Sequence, residues 1–574
     1  MEKLALIKQH PFKFGLICLF LVAYVFMGLK MKLSALISEN PRLNEFITKA
    51  TTVTFTGFMQ STFAIALCLF LLVSANFVIH RNMTKNEIGH LLDAKQLANP
   101  EFMPGDWYLN IPASHRLPFQ TLMYPLSRNF SFMTMSIAGR FFGFLFVCIG
   151  LALIAKRIGL NAITASAAMG LFLTFGQSLP PGGEWIFRSI ESKVIAYGLL
   201  FFALNALLNK KIAQAAFFSG LATTMHVLVG GWGSVALWLT ILTQRTASRR
   251  ELLTGILVWC VAGAGGIYFA LASLLESAPD LPFNIEQIYV YFRNPHHLDP
   301  SHWKLHLDDF FITATMLWFL ARSRKFFPLN TEQQLIARFA LWTIPPYLLG
   351  ILIFPFSFAP KFLQYYPFRV GSTIVLLFGL LIAVTVISNY IFRKPALQWL
   401  FAIVAVFFFW SGAGGFVKDI GELREFPEGA LRGGKNKTRA LYEACHWIRD
   451  NTEPGALLLA TPRDESIIYL SCRPVVAWFK HLPTPKAEIA EWYQRLIDFN
   501  GGSQPTKTGF RASREIEENF YRLSETGYRY MAKKYGAQYL LVNNRDDLTF
   551  PKLFSNKRYA VFKIDFPDSG LIKK

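Results

Sequence analysis

Long apolar stretches without a single charge set the limits on what this chain can become. Gly15–Gly28, Phe63–Val78, Val194–Leu208 and Ser372–Ile387 contain no Asp, Glu, Lys or Arg. Such a stretch in lipid must satisfy its own backbone hydrogen bonds, and a helix does that within one segment. Composition agrees, with 53% hydrophobic and only 17% charged residues among 574 and a mean hydropathy of +0.32. The chain therefore reads as a mainly α, polytopic membrane protein.

Charge then orients the spans. The formal net charge is +21, but the basic residues cluster where apolar runs end: Lys156-Arg157, Lys210-Lys211, Arg245 with Arg249-Arg250, Arg322 with Arg324-Lys325, and Arg393-Lys394. That is the pattern of cytoplasmic turns. No zinc-finger spacing, ribonucleoprotein motif or basic heptad region accompanies it, so membrane lipids are the implied partner and nucleic acid is not. Loops 81–132, 178–193, around 226, 276–308 and 355–369 then share the opposite face. Counting from the span Phe55–His80, the alternation gives about eleven crossings at roughly 20 residues each. The apolar run 14–29, preceded by Lys3, Lys8 and Lys13, resembles a signal-peptide core but lacks a clean cleavage site and fits the alternation poorly. No internal repeat of the inverted-transporter kind is present.

The last crossing, Leu397–Trp410, leads outward, and composition turns soluble after Gly414-Gly415. Residues 1–415 are thus expected to form the membrane part and 416–574 an extracytoplasmic α/β domain. Within it, 439–451 and 515–535 read as helices, while 455–461, 474–478, 538–542 and 559–564 read as strands. Trp447, Trp478 and Trp492 are expected in its core. Of the six cysteines, Cys18, Cys68, Cys148 and Cys260 lie in apolar runs as small hydrophobes. Cys445 and Cys472 face an oxidising compartment on this topology, and nothing in the sequence brings them together.

Polar chemistry concentrates in the outward loops. In 81–132, Ile88, Leu91, Leu92 and Leu97 recur at helical spacing, and Pro100, Pro104 and Gly105 then end the helix, leaving Asp106 on a turn. Glu87 and Asp106 could each serve as a general base or bind a metal; helix capping is the alternative for Glu87. At the start of a later span, Glu184, Arg188, Glu191 and Lys193 sit where charge is costly unless paired, with Glu191 deepest. His226 precedes Gly230-Gly231, which permit close helix packing. The loop 291–303 packs Arg293, His296, His297, Asp299 and His302 together, a set suited to a diphosphate or a divalent metal. Arg369 opens an otherwise uncharged span, where a guanidinium needs an anion beside it.

The arrangement, a large acidic outer loop after the first core span, many crossings and an external C-terminal α/β domain, resembles the GT-C superfamily of membrane glycosyltransferases. The segments Asn86–Lys95 (NEIGHLLDAK), Pro104–Trp107, Glu191–Tyr197, Met225–Trp232 and Phe292–Pro300 carry a narrower likeness. More closely, with Trp447–Ala456, Ser471–Lys480 and Glu491–Leu496, they resemble a family of bacterial membrane proteins near that superfamily. The resemblance implies transfer of a sugar from a polyprenyl-phosphate carrier at the outer face of the inner membrane. It implies a carboxylate of the first outer loop as base or metal ligand, here Glu87, with a divalent cation as candidate cofactor. The usual neighbouring second carboxylate is absent: Asn86 precedes Glu87, and Asp106 or Glu191 would have to replace it. On this reading Glu87 or Asp106 deprotonates the acceptor, while Arg369 with His296 or His297 holds the departing phosphate. Glu191, Lys193, His226 and Arg293 join the substrate-binding set, and Glu87, Asp106, His296 and His297 are the metal candidates. The rival is a non-catalytic lipid or polysaccharide transporter, or an envelope-assembly scaffold, since architecture alone is a weak guide to chemistry.

Overall fold

The charge-free runs 63–78, 194–208 and 372–387 fall almost wholly within helices, the first of them begun by a side-chain cap. In the computed structural model, described for residues 57–565 except 112–114, 180–182, 246, 277–280, 304–306, 392–394 and 432–433 (backbone alone at 307–310, 390–391 and 395–398), helices of ten or more residues are numbered α1 to α19. The apolar run 14–29 and the pair Arg393-Lys394 lie outside the described residues.

The first helices are α1 (Thr62–Phe77), α2 (Lys85–Ala98), α3 (Leu117–Asn129), α4 (Phe132–Arg157), α5 (Ala162–Thr174) and α6 (Ser192–Leu208). They are followed by α7 (Ile212–Met225), α8 (Val227–Gln244), α9 (Arg249–Ala262) and α10 (Ala264–Leu275). Next come α11 (Leu307–Phe326), α12 (Thr331–Trp342), α13 (Ile344–Ile353), α14 (Arg369–Val386) and α15 (Pro395–Glu425). Side-chain oxygens of Ser61 and Ser131 accept from Ala64 N and Thr134 N to start α1 and α4. α4 closes on Lys156-Arg157, whose charges suit a helix C-terminus.

Among the described residues, five helical stretches are long and apolar enough to cross a membrane: Phe132–Arg157, Val227–Gln244, Thr331–Ile353, Arg369–Asn389 and Trp399–Glu425. The pair α9–α10, bent by 71°, makes a sixth, and α1, α5, α6 and α7 are apolar but shorter. The chain is a multi-pass membrane protein in which several of the expected crossings are short or broken. One close approach is diagnostic. A Cβ on Gly230 would lie 2.2 Å from the backbone of Ala222 and Thr223, whereas one on Gly231 would meet nothing. Only the first glycine of the pair is required for α7 and α8 to fold back on each other at His226.

Beyond the bundle, α16 (Lys435–Asn451), α17 (Lys486–Phe499), α18 (Gly509–Phe520) and α19 (Glu525–Tyr535) surround a four-stranded sheet. Its strands are β1 (Leu458–Leu459), β2 (Tyr539–Asn543), β3 (Lys552–Ser555) and β4 (Tyr559–Lys563), in the order β1-β2-β4-β3. β1 is parallel to β2, and the other pairings are antiparallel. The strand expected at 474–478 is only a single bridge between Leu458 and Val475. The helix expected over 515–535 is two helices, because the chain leaves α18 at Tyr521 and Ser524 caps a new one. β3 escaped the sequence pattern: its Lys552 and Leu553 are exposed, so no apolar alternation marks it. Trp492 and Trp478 are buried, and Trp447 packs beside Phe554. Cys445 and Cys472 are both free thiols.

The α/β domain has no closed core of its own. Trp478, Tyr469, Leu441 and Leu458 share one apolar cluster with Ile88, Leu91 and Leu92 of α2. Ile285, Ile288 and Phe292, from the loop after α10, enter a second cluster with Trp492, Phe520 and Phe562. The helix α15 runs unbroken through Gly414-Gly415 into this assembly. Loops from several hairpins and the domain therefore meet at one end of the bundle.

Candidate functional site

At that end, the charges expected from the sequence sort into structural pairs and an uncompensated cationic group. Glu87 sits at the third position of α2, in a capping box with Thr84. Its carboxylate is wholly buried and receives both Nε and Nη2 of Arg140 from α4. Ser136 Oγ and Ile190 N donate to the same carboxylate at 3.0 Å, and Thr84 N donates at 3.3 Å. With donors on every side, Glu87 ties α2 and α4 to the segment entering α6. It is not turned toward a reacting group.

Asp106 is likewise occupied. It accepts from Leu109 N at 2.9 Å and Val475 N at 3.4 Å, stapling the turn after α2 to the α/β domain. Burial pushes its carboxyl up to about 6, against the pull of those amide donors. A third carboxylate of this region, Asp93, pairs with Arg116 at 3.0 Å, and Arg116 also donates to Tyr108 Oη at 2.7 Å.

Deeper in, Glu184 is a hub for two cations, Lys193 and Arg369. Lys193 lies 3.4 Å over the Trp185 ring, and Arg369 lies 4.1 Å over Tyr366. Glu191 is less engaged. It accepts from Ser189 Oγ at 3.0 Å, and its other oxygen is 3.6 Å from Lys193 Nζ. Although Glu191 stands at the N-cap of α6, it makes no side-chain cap. His226 takes a structural role, accepting from Val229 N through Nδ1 at 3.1 Å to start α8.

The remaining residues make the cationic group. A π-helical segment, Ile288–Arg293, presents Arg293, which is 2% exposed. Its guanidinium donates to Phe479 O at 3.0 Å and Lys480 O at 2.7 Å, and among the described residues it meets no carboxylate. Lys480 follows directly, its Nζ 5.6 Å from the Phe510 ring. Burial first, and then the Arg293 charge, push this amine down to about 7, while the through-space fields of Glu191 and Glu465 pull the other way. His296 stacks between His297 (4.1 Å) and Phe510 (4.7 Å), and its Nδ1 is buried without a partner. Burial and the neighbouring cations hold His296 neutral, at about 3. A Cβ on Gly183 would lie 3.1 Å from the His297 ring, so the segment entering α6 packs directly on this loop.

The structure thus brings Glu191, Lys193, Arg369, Arg293, His296 and His297 within electrostatic reach of one another and of Lys480, a polar cluster that makes the candidate chamber, and places Glu87 behind it, through Ile190. Asp106 lies apart, five residues upstream of Lys480 by way of Val475. Among the described residues no three His, Cys, Asp or Glu side chains form a group that could hold a metal ion. The proposed metal set of Glu87, Asp106, His296 and His297 does not converge, and the two acids are filled by N–H donors. Residues outside the sequence-derived set complete the site. Lys480 ends the apolar run Val475–Phe479, and Arg140 is a lone charge in an apolar span; each had that signal in the sequence. Phe510 had none. His481 also matters: its Nε2 contacts Lys85 O at 2.9 Å, and its ring fills the space a Cβ on Gly89 would take.

Two outcomes follow from this geometry. Arg140→Met leaves Glu87 buried and unpaired and destabilises the protein by about 3–5 kcal/mol, whereas the double change Glu87→Gln with Arg140→Met recovers much of that; thermal unfolding of the purified protein reads both. For Lys480, the unfolded chain keeps the proton up to about 10.4, whereas the folded chain releases it near 7. Between those values the unfolded state binds more protons, so stability rises with pH across the window and is flat below it. The thermal midpoint should gain on that of Lys480→Met from pH 7 to pH 9; parallel profiles would contradict this environment for Lys480.

Comparison with known proteins adds the following. Residues 439–499, from α16 into α17 and including Lys480 and His481, match the family model described as Domain of unknown function (DUF6798). No curated protein matches the chain. Among solved structures, the archaeal oligosaccharyltransferase AglB of Archaeoglobus fulgidus, in complex with an inhibitory peptide and a dolichol-phosphate, is similar at 10% identity with a TM-score of 0.47. That alignment covers 84% of this chain and 69% of AglB. The oligosaccharyltransferase of Archaeoglobus fulgidus in its apo form is similar at 11% identity and a TM-score of 0.50, covering 85% of this chain and 70% of that one. This second likeness concerns the fold: a GT-C-like helical membrane bundle carrying a C-terminal α/β domain.

Proposed function

We propose that the chamber binds the phosphate of a polyprenyl-phosphate-linked sugar and that the protein transfers the sugar to a hydroxyl acceptor. The observation that carries this reading is the pair of buried Arg293 and half-buried Lys480, adjacent and, among the described residues, without a carboxylate in ion-pair contact. Burying uncompensated cations is costly, so a site that keeps them is built for an anion. Lys193 and Arg369, each already paired with Glu184, line the same space and hold it in shape. In the proposed reaction the bond between the anomeric carbon and the phosphate oxygen breaks, and its electrons leave with the phosphate. Arg293 and Lys480 stabilise that developing charge. The acceptor oxygen bonds to the same carbon, and its proton passes to Glu191, the least engaged carboxylate of the chamber. Glu87 and Asp106, assigned as bases on sequence grounds, become positioning residues. In this reading residues 1–415 form the membrane part, and 416–574 close the chamber at the outer face of a bacterial inner membrane.

The commitment of Glu87 and Asp106 to structural donors favours a second reading, a protein that binds the lipid carrier without catalysis. Transfer assays with polyprenyl-phosphate-linked sugars separate the two. The transferase reading expects turnover that falls at least about 100-fold in Glu191→Gln and in Lys480→Met, the size of a lost base or charge contact. Binding of the lipid phosphate that survives Glu191→Gln, with no turnover in the wild type, would support the second.

A further inference from the structure

A cleft separate from the cationic chamber lies between α2, α3 and the α/β domain. It has a volume of about 340 Å³ and is lined by Asp93, Gln96, Tyr108, Asn110, Arg116 and Gln120, with Thr484 on the domain side. That volume falls at the lower end of the range for small-molecule sites. Tyr108 stacks on Trp478 at 5.0 Å and meets the His481 ring at 5.9 Å. The turn Trp478–His481 therefore contributes to both sites: Tyr108 packs on its two ends, and Lys480 points to the chamber.

The chemistry of this cleft differs from that of the chamber. Its charges cancel internally, because Arg116 donates to Asp93 at 3.0 Å and to Tyr108 Oη at 2.7 Å. No cation is left over for a phosphate. The other polar groups are planar amides, and Gln96 Nε2 already donates to Asn110 Oδ1 at 3.2 Å. Gln96 keeps its carbonyl oxygen and one N–H for a ligand, a donor and an acceptor side by side that match adjacent hydroxyls, whereas Asn110, whose two N–H groups go to Pro104 O and Asp106 O, offers only its Oδ1. Between them lie apolar surfaces. Leu97, which helical spacing would send to the core, is instead 39% exposed and lines the cleft. Pro100 and Pro483 are further apolar lining groups. An apolar ligand would strand the amides, and an anion would find Arg116 taken. The walls are also pre-set: Asp106 staples the loop between α2 and α3 to Val475, and Asn110 donates to Pro104 O and Asp106 O at 2.7 and 2.8 Å.

We propose that this cleft is a binding site for a neutral saccharide of one or two rings, its hydroxyls read by Gln96, Gln120, Asp93 and the Oδ1 of Asn110 and its C–H face resting on Leu97. The proposal does not rest on the transferase reading, since a saccharide-binding cleft stands whether or not the chamber turns over a lipid donor. The test uses the full chain in lipid nanodiscs and saturation-transfer NMR with maltose, cellobiose and N,N′-diacetylchitobiose as probes. At least one disaccharide should bind saturably, and the double variant Gln96→Ala with Gln120→Ala should weaken it at least 5-fold. Leu97→Trp, which fills the cleft from an exposed helix position, should block binding while the thermal midpoint stays unchanged. Lys480→Met should leave binding intact. The proposal is overturned if none of the three disaccharides binds, or if binding is lost in Lys480→Met and unaffected by the cleft variants.

Discussion

The buried pair of Glu87 and Arg140 is the joint on which the loop end of this protein depends. Both side chains are fully enclosed, and an ion pair of that kind is strongly destabilised when one partner is removed. Its reach is unusual for one carboxylate, because it binds α4 through Arg140 and Ser136 and the chain ahead of α6 through Ile190 N. The next residue is Glu191, so the same contact sets where the chamber's least engaged acid stands. α2 in turn carries Gly89 against His481, which fixes the turn bearing Lys480. One ionic contact therefore aligns the first outer helix, two spans and, through α2, the α/β domain.

Around that joint the charges are divided by use. Glu87, Asp93, Asp106 and Glu184 are engaged by cations or backbone amides, and most polar groups of the outer loop serve to hold elements together. Arg293 and Lys480 are the exception, two cations side by side whose nearest acids act only through space. Desolvation opposes charge on Lys480, and a bound phosphate would restore it. The chamber is thus matched to an anion, while the neighbouring cleft, with Arg116 neutralised by Asp93, is matched to neutral hydroxyls. Two sites of opposite character share the turn Trp478–His481.

Much of the fold was legible because lipid and helix impose regular patterns. The apolar helices, the basic residues that close α4 and the break of α2 before Pro100 all follow from apolar length, charge placement and proline. What escaped depended on long-range partners. The resemblance that picked out Glu87 as a base could not reveal that Arg140, in another helix, saturates it. Lys480 closes the apolar run Val475–Phe479, but only docking of the α/β domain beside the loop 276–308 brings it to Arg293. Leu97 fits the helical stripe yet faces a cleft, because α3 and the domain leave that side open. The apparent helix over 515–535 broke at Tyr521 because its apolar contacts straddle a turn that Ser524 restarts.

The central claim is that Arg293 and Lys480 form the phosphate site. A cryo-EM map of the protein in nanodiscs with a polyprenyl phosphate tests it most directly. The account predicts phosphate density within hydrogen-bond distance of Lys480 Nζ and the Arg293 guanidinium, with Glu87 still bound to Arg140. Phosphate density seated elsewhere, with the Arg293–Lys480 corner empty or filled by a carboxylate side chain, would contradict it.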